Sequence, residues 1–453
     1  MGYTKLQEYA LSVMNYGYNV YLTGDAGTGK SYIVNEYIEQ QEAKGKNVMK
    51  LAPTGVAAAK INGVTIHRQF KVPVGPVVRD IEERCSFDDT LVETDIIVID
   101  EISMCRIDLF DLVVSQVLTA NNNRRGRLLP LIQLIIVGDF FQLPPIMKPS
   151  EKGVLDKHYG FDTGVGFAFN SRLWKLMEFK NVILTEIIRQ QDKTFLSELN
   201  KVRTGNKTSL QYFMDNASKN EFPDAITICG RTEEVLEINN EKLSKIPSQA
   251  YDFIAELDGE VNYNETIAEY NLTLKLGARV MTLVNKHEDG YMNGSFGTVN
   301  GMYSDCICVL LDDGTQVYVK KYTWEIYRYE LDSDTKLIKS VVGSFTQFPL
   351  KLAYAITIHK SQGQTYDYVN LYPYSWDCGQ LYTALSRVKD IKHMYLKYDI
   401  NMKDVVVSLN VIDFNNKTVQ TANKQVEPPK QQVRSRGEFS ADMDKITSLI
   451  SKK

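Results

Sequence analysis

The octet Gly24-Asp25-Ala26-Gly27-Thr28-Gly29-Lys30-Ser31 follows an apolar run at 19–23 and opens a helical pattern that begins Ser31-Tyr32-Ile33-Val34. A glycine-rich turn between a buried strand and a helix aims successive backbone N–H groups at an anion, and it belongs to sheets covered by helices. Lys30 adds a point charge for the β- and γ-phosphates, and the Ser31 hydroxyl is placed to ligate Mg²⁺. The pattern predicts a nucleoside triphosphate site cradled by Gly24, Gly27, Thr28 and Gly29, with ATP as the expected occupant.

Three further runs, at 48–52, 95–100 and 133–137, are continuously apolar rather than alternating. Strands buried on both faces have this character, so a parallel sheet follows, with ligands expected at its carboxyl edge. Near 70–90 the pattern breaks around Pro73, Gly75 and Pro76 into a small excursion expected to be a hairpin insert. A second α/β pattern runs from about 181, with candidate strands at 225–229, 368–372 and 394–398. Between 251 and 344 it is interrupted by alternating, glycine-punctuated segments such as Cys306-Ile307-Cys308-Val309-Leu310 before Asp312-Asp313-Gly314, which predict a small β-barrel insert. The expected division is a first unit at 1–180, a second at 181–250 and 345–412, the insert at 251–344, and a flexible polar tail at 415–453 with one short helix at 442–450.

A net charge of −4 over 453 residues does not advertise nucleic-acid binding by the whole molecule, so any anionic partner must be held by a local groove. The six cysteines include no C-x-x-C pair, which argues against zinc and for a reducing, intracellular compartment. No signal pattern or membrane-length apolar stretch is seen, and a cytoplasmic or nucleoid-associated protein is expected.

Asp100-Glu101 closes the third run; beside a phosphate loop, the first carboxylate suits the Mg²⁺ shell and the second the attacking water. Gln142, in Gly138-Asp139-Phe140-Phe141-Gln142-Leu143-Pro144-Pro145, ends the next strand within reach of a γ-phosphate. Arg189 and Arg387 lie in the second unit, whereas Lys30, Asp100 and Glu101 lie in the first. If both arginines stabilise the transferring phosphoryl group, the units must close around ATP. Thr54, Gly55, His67 and Phe70 follow strands of the first unit, and Thr357, His359 and Lys360 lie in a polar turn of the second. Hydroxyls, backbone and rings there suit a sugar-phosphate chain with unpaired bases. Arg124-Arg125-Gly126-Arg127 reads as a solvated loop. An ATP-switched DNA grip without stepping and an RNA-directed motor are the rival readings; a nuclease is disfavoured, since no further carboxylate cluster has metal-ligand spacing.

In order and in sequence these motifs resemble superfamily 1B helicases of the Pif (petite integration frequency) branch, with its phage Dda and RecD relatives. The resemblance is carried by the phosphate loop, Thr54-Gly55-Val56-Ala57-Ala58, Asp100-Glu101-Ile102-Ser103-Met104, the Gln142 segment, Arg189-Gln190, Asn293-Gly294, His359-Lys360-Ser361-Gln362-Gly363 and Ala384-Leu385-Ser386-Arg387-Val388. It spans about residues 6–398. It implies two RecA-like domains with ATP between them, a hairpin insert in the first and an SH3-like insert in the second, and 5′-to-3′ movement on single-stranded DNA with unwinding of duplex or forked DNA; from its size the chain is expected to act as a monomer. By the same resemblance Gln7 would read adenine, Gln362 and Gly363 would line the nucleotide, and Arg189 and Arg387 would be arginine fingers. Thr54, Gly55, His67, Phe70, Thr357, His359 and Lys360 would face DNA. The tail is left for a protein partner, and residues 72–89 do not align residue by residue.

Overall fold

The computed structural model describes residues 3–72, 75–78, 88–186, 192–261, 266–331 and 337–422. Most of the expected hairpin insert, and Arg189 with Gln190, lie outside these.

The continuous apolar runs form strands. β1 (Val20–Gly24), β2 (Val48–Ala52), β3 (Val64–Thr65), β4 (Ile96–Ile99), β5 (Gln133–Val137) and β6 (Lys180–Leu184) make a wholly parallel sheet in the order β3-β2-β4-β5-β1-β6. Successive side chains of a strand point to opposite faces, and here both faces are covered. Val20, Leu22, Val98 and Val137 pack with Ile33, Val34 and Tyr37 of the helix Lys30–Ala43. Tyr21, Ile97, Ile99 and Ile136 pack with Phe110, Val113 and Val117 of the helix Ile107–Gly126.

β6 corrects the expected boundary at 180/181. It pairs with β1 from Val20↔Lys180 to Gly24↔Leu184, so the first unit extends to Leu184. A short apolar run shows that a strand is buried but not which sheet receives it. Gly24 allows this pairing: at φ +150°, a Cβ there would lie 2.2 Å from the Leu184 carbonyl oxygen.

The second unit begins its sheet with β7 (Ile226–Cys229). The chain then leaves for ten antiparallel strands: β8 (Ala250–Ile254), β9 (Glu256–Gly259), β10 (Asn271–Lys275), β11 (Arg279–Thr282), β12 (Phe296–Met302), β13 (Cys306–Leu311), β14 (Gln316–Lys320), β15 (Tyr322–Leu331), β16 (Leu337–Gln347) and β17 (Leu350–Leu352). In β14 the burial alternates, Val317 and Val319 inward and Gln316, Tyr318 and Lys320 outward, as a sheet with one wet face requires. The insert has a core of its own around Leu272, Val280, Val299, Ile307 and Val309. β15 packs back on the first unit, against β3 and the helices Ile66–Gln69 and Thr90–Glu93. The chain then returns as β18 (Ala355–Thr357), β19 (Val369–Leu371) and β20 (Met394–Leu396), completing a parallel sheet in the order β18-β7-β19-β20.

A flexible tail from 415 is also corrected. Residues 415–422 continue the helix Leu409–Ala422, which lies against β6. Phe414 stacks on Phe169 at 4.3 Å and meets Tyr21, Phe140 and Trp174. Val411, Phe414 and Thr418 recur at helical spacing, but one stripe among polar residues is a weak signal. Phe414→Ala is expected to cost about 2–4 kcal/mol in denaturant unfolding, from lost ring burial and the cavity left behind. Residues 423–453, with the helix expected at 442–450, lie outside the described part. No described helix is long and apolar enough to cross a membrane.

Candidate active site

The phosphate loop ends in a helix whose N-cap, Gly29, is left-handed and makes no side-chain capping bond, so the first-turn N–H groups of Lys30–Ala43 are left for an anion. Lys30 Nζ lies on the loop's own carbonyls, 2.8 Å from Gly24 O and 3.0 Å from Asp25 O, and burial pushes its pKa down. Thr28 Oγ1 donates to Asp25 O at 3.0 Å, which holds the loop's turn. Gln7 is buried: its Nε2 donates to Thr28 O at 3.3 Å and its Oε1 accepts Thr4 N–H at 3.1 Å, tying the first helix to the loop.

A cavity of about 240 Å³ opens above the loop. Gly27, Thr28, Gly29, Lys30, Ser31, Asp100, Glu101 and Gln142 line it from the first unit; Gly363 and Arg387 line it from the second. Gln362 bridges the walls, its Nε2 donating to Glu101 Oε2 at 3.1 Å and Gln142 Oε1 at 3.3 Å. Arg387 is 2% exposed and is anchored in its own unit, with Nε on Thr383 O at 2.7 Å and Nη1 on Ser361 O and Gln364 O, both at 3.0 Å. The close fit of the two units has a requirement at Gly379 (φ +71°), where a Cβ would lie 2.3 Å from Gln142 O.

Asp100 Oδ1 accepts Glu101 N–H at 2.9 Å, while Oδ2 is buried with no hydrogen-bond partner. Burial, and then the neighbouring Glu101 charge, push Asp100 from its ordinary 3.8 up to about 6. An orphaned carboxylate oxygen beside a second carboxylate and a serine hydroxyl is the donor set a divalent cation satisfies, so Mg²⁺ fits here. Because the folded carboxyl keeps its proton to higher pH than the unfolded one, its ionisation costs stability as pH rises from about 4 to about 6. Asp100→Asn is therefore expected to stabilise the nucleotide-free protein at pH 7 by roughly 1–3 kcal/mol while removing hydrolysis. Thermal unfolding of both proteins at pH 4 and pH 7 checks this, the gap between them shrinking at the lower pH.

The residues expected to face DNA lie at the carboxyl ends of β2, β3 and β18. Thr54 caps the helix Gly55–Lys60 by accepting Ala57 N–H at 3.3 Å, and Thr357 Oγ1 accepts Lys360 N–H at 3.2 Å. His67 sits in the short helix Ile66–Gln69. His359 is half-buried beside Asp377 with its pKa lowered by burial, and Lys360 is exposed. Burial, and then the neighbouring Lys360 charge, push Lys351 down to about 8, so its ammonium holds its proton less firmly there than in water. Phe70 is corrected: at 3% exposure its ring lies in the core, in one apolar cluster with Val64, Ile66 and Val72, where burial of a large ring outweighs its exposure to a strand of bases.

Sequence reading missed Lys60, which lines the cavity with its Nζ 3.4 Å from where a Gly363 Cβ would sit. It also missed Tyr382 and Arg203, which reach the first unit from the second. No local pattern marks such residues, since the partners are hundreds of positions away or lie in another sheet. Asn293 and Gly294 line a different cavity, of about 650 Å³, between the second sheet and the insert.

Two parallel sheets that present a phosphate loop, a carboxylate pair and, from the second wall, an arginine to one cleft define a two-domain RecA-like P-loop ATPase. The PIF1-like helicase family matches residues 6–212. The Pif1 helicase of Campylobacter jejuni is 32% identical over 404 residues, covering 82% of this chain and 86% of that one. A crystal structure of Pif1 from a Bacteroides species in complex with ADP-AlF4 superposes with a TM-score of 0.79 at 31% identity, covering 93% of this chain and 98% of that one. The structure of Bacteroides Pif1 bound to ssDNA does so at 0.69 and 32%, covering 93% and 98%. The chain belongs to the Pif1 family of ATP-dependent DNA helicases.

Proposed function

We propose that the chain is a monomeric motor that hydrolyses ATP in the cleft between its two units, moves 5′ to 3′ along single-stranded DNA and separates duplexes. The observation that carries this reading is the bridge from Gln362 to both Glu101 and Gln142, which makes the hydrolytic residues of one unit depend on the position of the other. Its relatives are named as ATP-dependent DNA helicases, and one has been crystallised on ssDNA.

Lys30 and the loop amides bind the phosphates, Gln7 borders the adenine side, and Glu101 orients the attacking water and takes up its proton. Gln142 reports the γ-phosphate, and Arg387, with Arg189, stabilises charge on the transferring group. Ser31 and Asp100 would hold Mg²⁺, which would supply positive charge to offset that of the phosphates. Thr54, Gly55 and His67 grip the strand in the first unit; Thr357, His359 and Lys360 grip it in the second. Alternating closure passes the strand from one set to the other. The contacts must be to backbone and ring faces, because base readout would stall the motor. The hairpin near 70–90 and an SH3-like barrel at 251–344 are read as the strand-separating and strand-covering accessories.

ATPase rates with single-stranded DNA and RNA of equal length test the reading. DNA should stimulate turnover strongly and RNA weakly. Turnover indifferent to either strand would leave an ATP-switched grip, and preference for RNA would make it an RNA motor.

A further inference from the structure

The second unit also holds the phosphate loop itself, through three side chains that the hydrolytic scheme does not use. The Tyr382 hydroxyl accepts Ala26 N–H at 3.0 Å. Asn200 Nδ2 donates to the Asp25 carboxylate at 2.9 Å, and Arg203 Nη1 lies 3.3 Å from the same carboxylate. Arg203 then forks onto Asp139, with Nε at 3.1 Å and Nη2 at 2.9 Å, and its guanidinium lies 4.2 Å from the centre of the Phe141 ring. Tyr382 completes the circuit by donating to Asp139 Oδ2 at 3.4 Å. Asp139 and Phe141 belong to the segment that carries Gln142. The loop and the γ-phosphate sensor are thus fastened to one rigid helix, Lys193–Arg203, and to the helix Gln380–Leu385 packed against it.

Arg203, Asp139 and Tyr382 are 9%, 1% and 2% exposed, so the pairing is desolvated and breaking it would strand a buried charge. The network therefore has few intermediate arrangements: if the second unit shifts, loop and sensor either follow or lose their partners. Ala26 N–H is a backbone donor within the octet, and the Tyr382 hydroxyl is its hydrogen-bond acceptor.

We propose that Tyr382, Asn200 and Arg203 are positioning residues that transmit the placement of the second unit to the phosphate loop, so that nucleotide in the loop and DNA on the second unit alter each other's affinity through them. This rests on the motor reading above. By linkage, the effect of nucleotide on DNA affinity equals that of DNA on nucleotide affinity, so one ratio measures it.

The test is the dissociation constant of a fluorescent single-stranded oligonucleotide with and without ADP-AlF4, for the full chain and for Tyr382→Phe and Asn200→Ala. The first variant removes one hydroxyl and keeps the ring; the second trims a half-buried helix residue, so either can answer alone. In the unmodified chain the two constants should differ by about 5–150-fold. In each variant the ratio should fall toward one, whereas a merely structural role would lower stability and leave the ratio alone. An unchanged ratio in a folded variant overturns the proposal. A ratio of one in the unmodified chain overturns the motor reading itself, and the proposal with it.

Discussion

Arg387→Ala is expected to lower ATP turnover by about 10³–10⁵-fold while changing ATP affinity far less. The guanidinium lines the nucleotide cavity from the second unit and is kept in place by the carbonyls of Ser361, Gln364 and Thr383. A cation fixed in advance stabilises charge that develops in the transition state without reorganisation, and that is why its loss falls on kcat. The same carbonyls would lose their donor in the variant, so some stability is lost as well. Arg387→Lys separates the two effects: it keeps the charge, but a lysine cannot satisfy three carbonyls in a planar fork. A rise in KM with kcat intact would assign Arg387 to uniform nucleotide binding instead.

Glu101→Gln is expected to slow hydrolysis by about 10²–10⁴-fold, the range for loss of a positioned proton acceptor. Glu101 follows β4 at φ +50°, an uncommon conformation for a residue with a side chain, and such outliers persist where the surroundings impose them. The amide is nearly isosteric and its oxygen can still accept from Gln362 Nε2, so the bridge across the cleft survives. The variant should bind ATP and hold single-stranded DNA without turning over. Single-turnover hydrolysis, measured beside DNA affinity in ATP, checks this. Rapid hydrolysis would move the proton acceptor elsewhere in the cleft.

The first sheet was legible because both-face burial leaves a continuous apolar run, and β1, β2, β4 and β5 fall where those runs lie. β3 has two residues, too short for any period to register, and β6, which begins Lys180-Asn181 and is only partly buried, was not among the candidate strands and gives no sign of its partner. The insert was recognisable by alternation and turn glycines, but the return of β15 to the first unit was not, because packing across such distances leaves no local trace. At the site, phosphate loop, carboxylate pair and Gln142 follow from chemistry that needs those types at strand ends. The link from Arg203 to Asp25 and Asp139 does not, since an arginine at the end of an amphipathic helix reads as a solvated charge until the second unit is placed.

The most direct measurement of the central claim, that ATP in the shared cleft drives directional movement on one DNA strand, is strand displacement from duplexes carrying a single-stranded tail on one end only. With ATP, 5′-tailed duplexes should be opened and 3′-tailed duplexes left intact, and Lys30→Ala should open neither. Opening from 3′ tails alone, or equal opening by Lys30→Ala, would contradict the account.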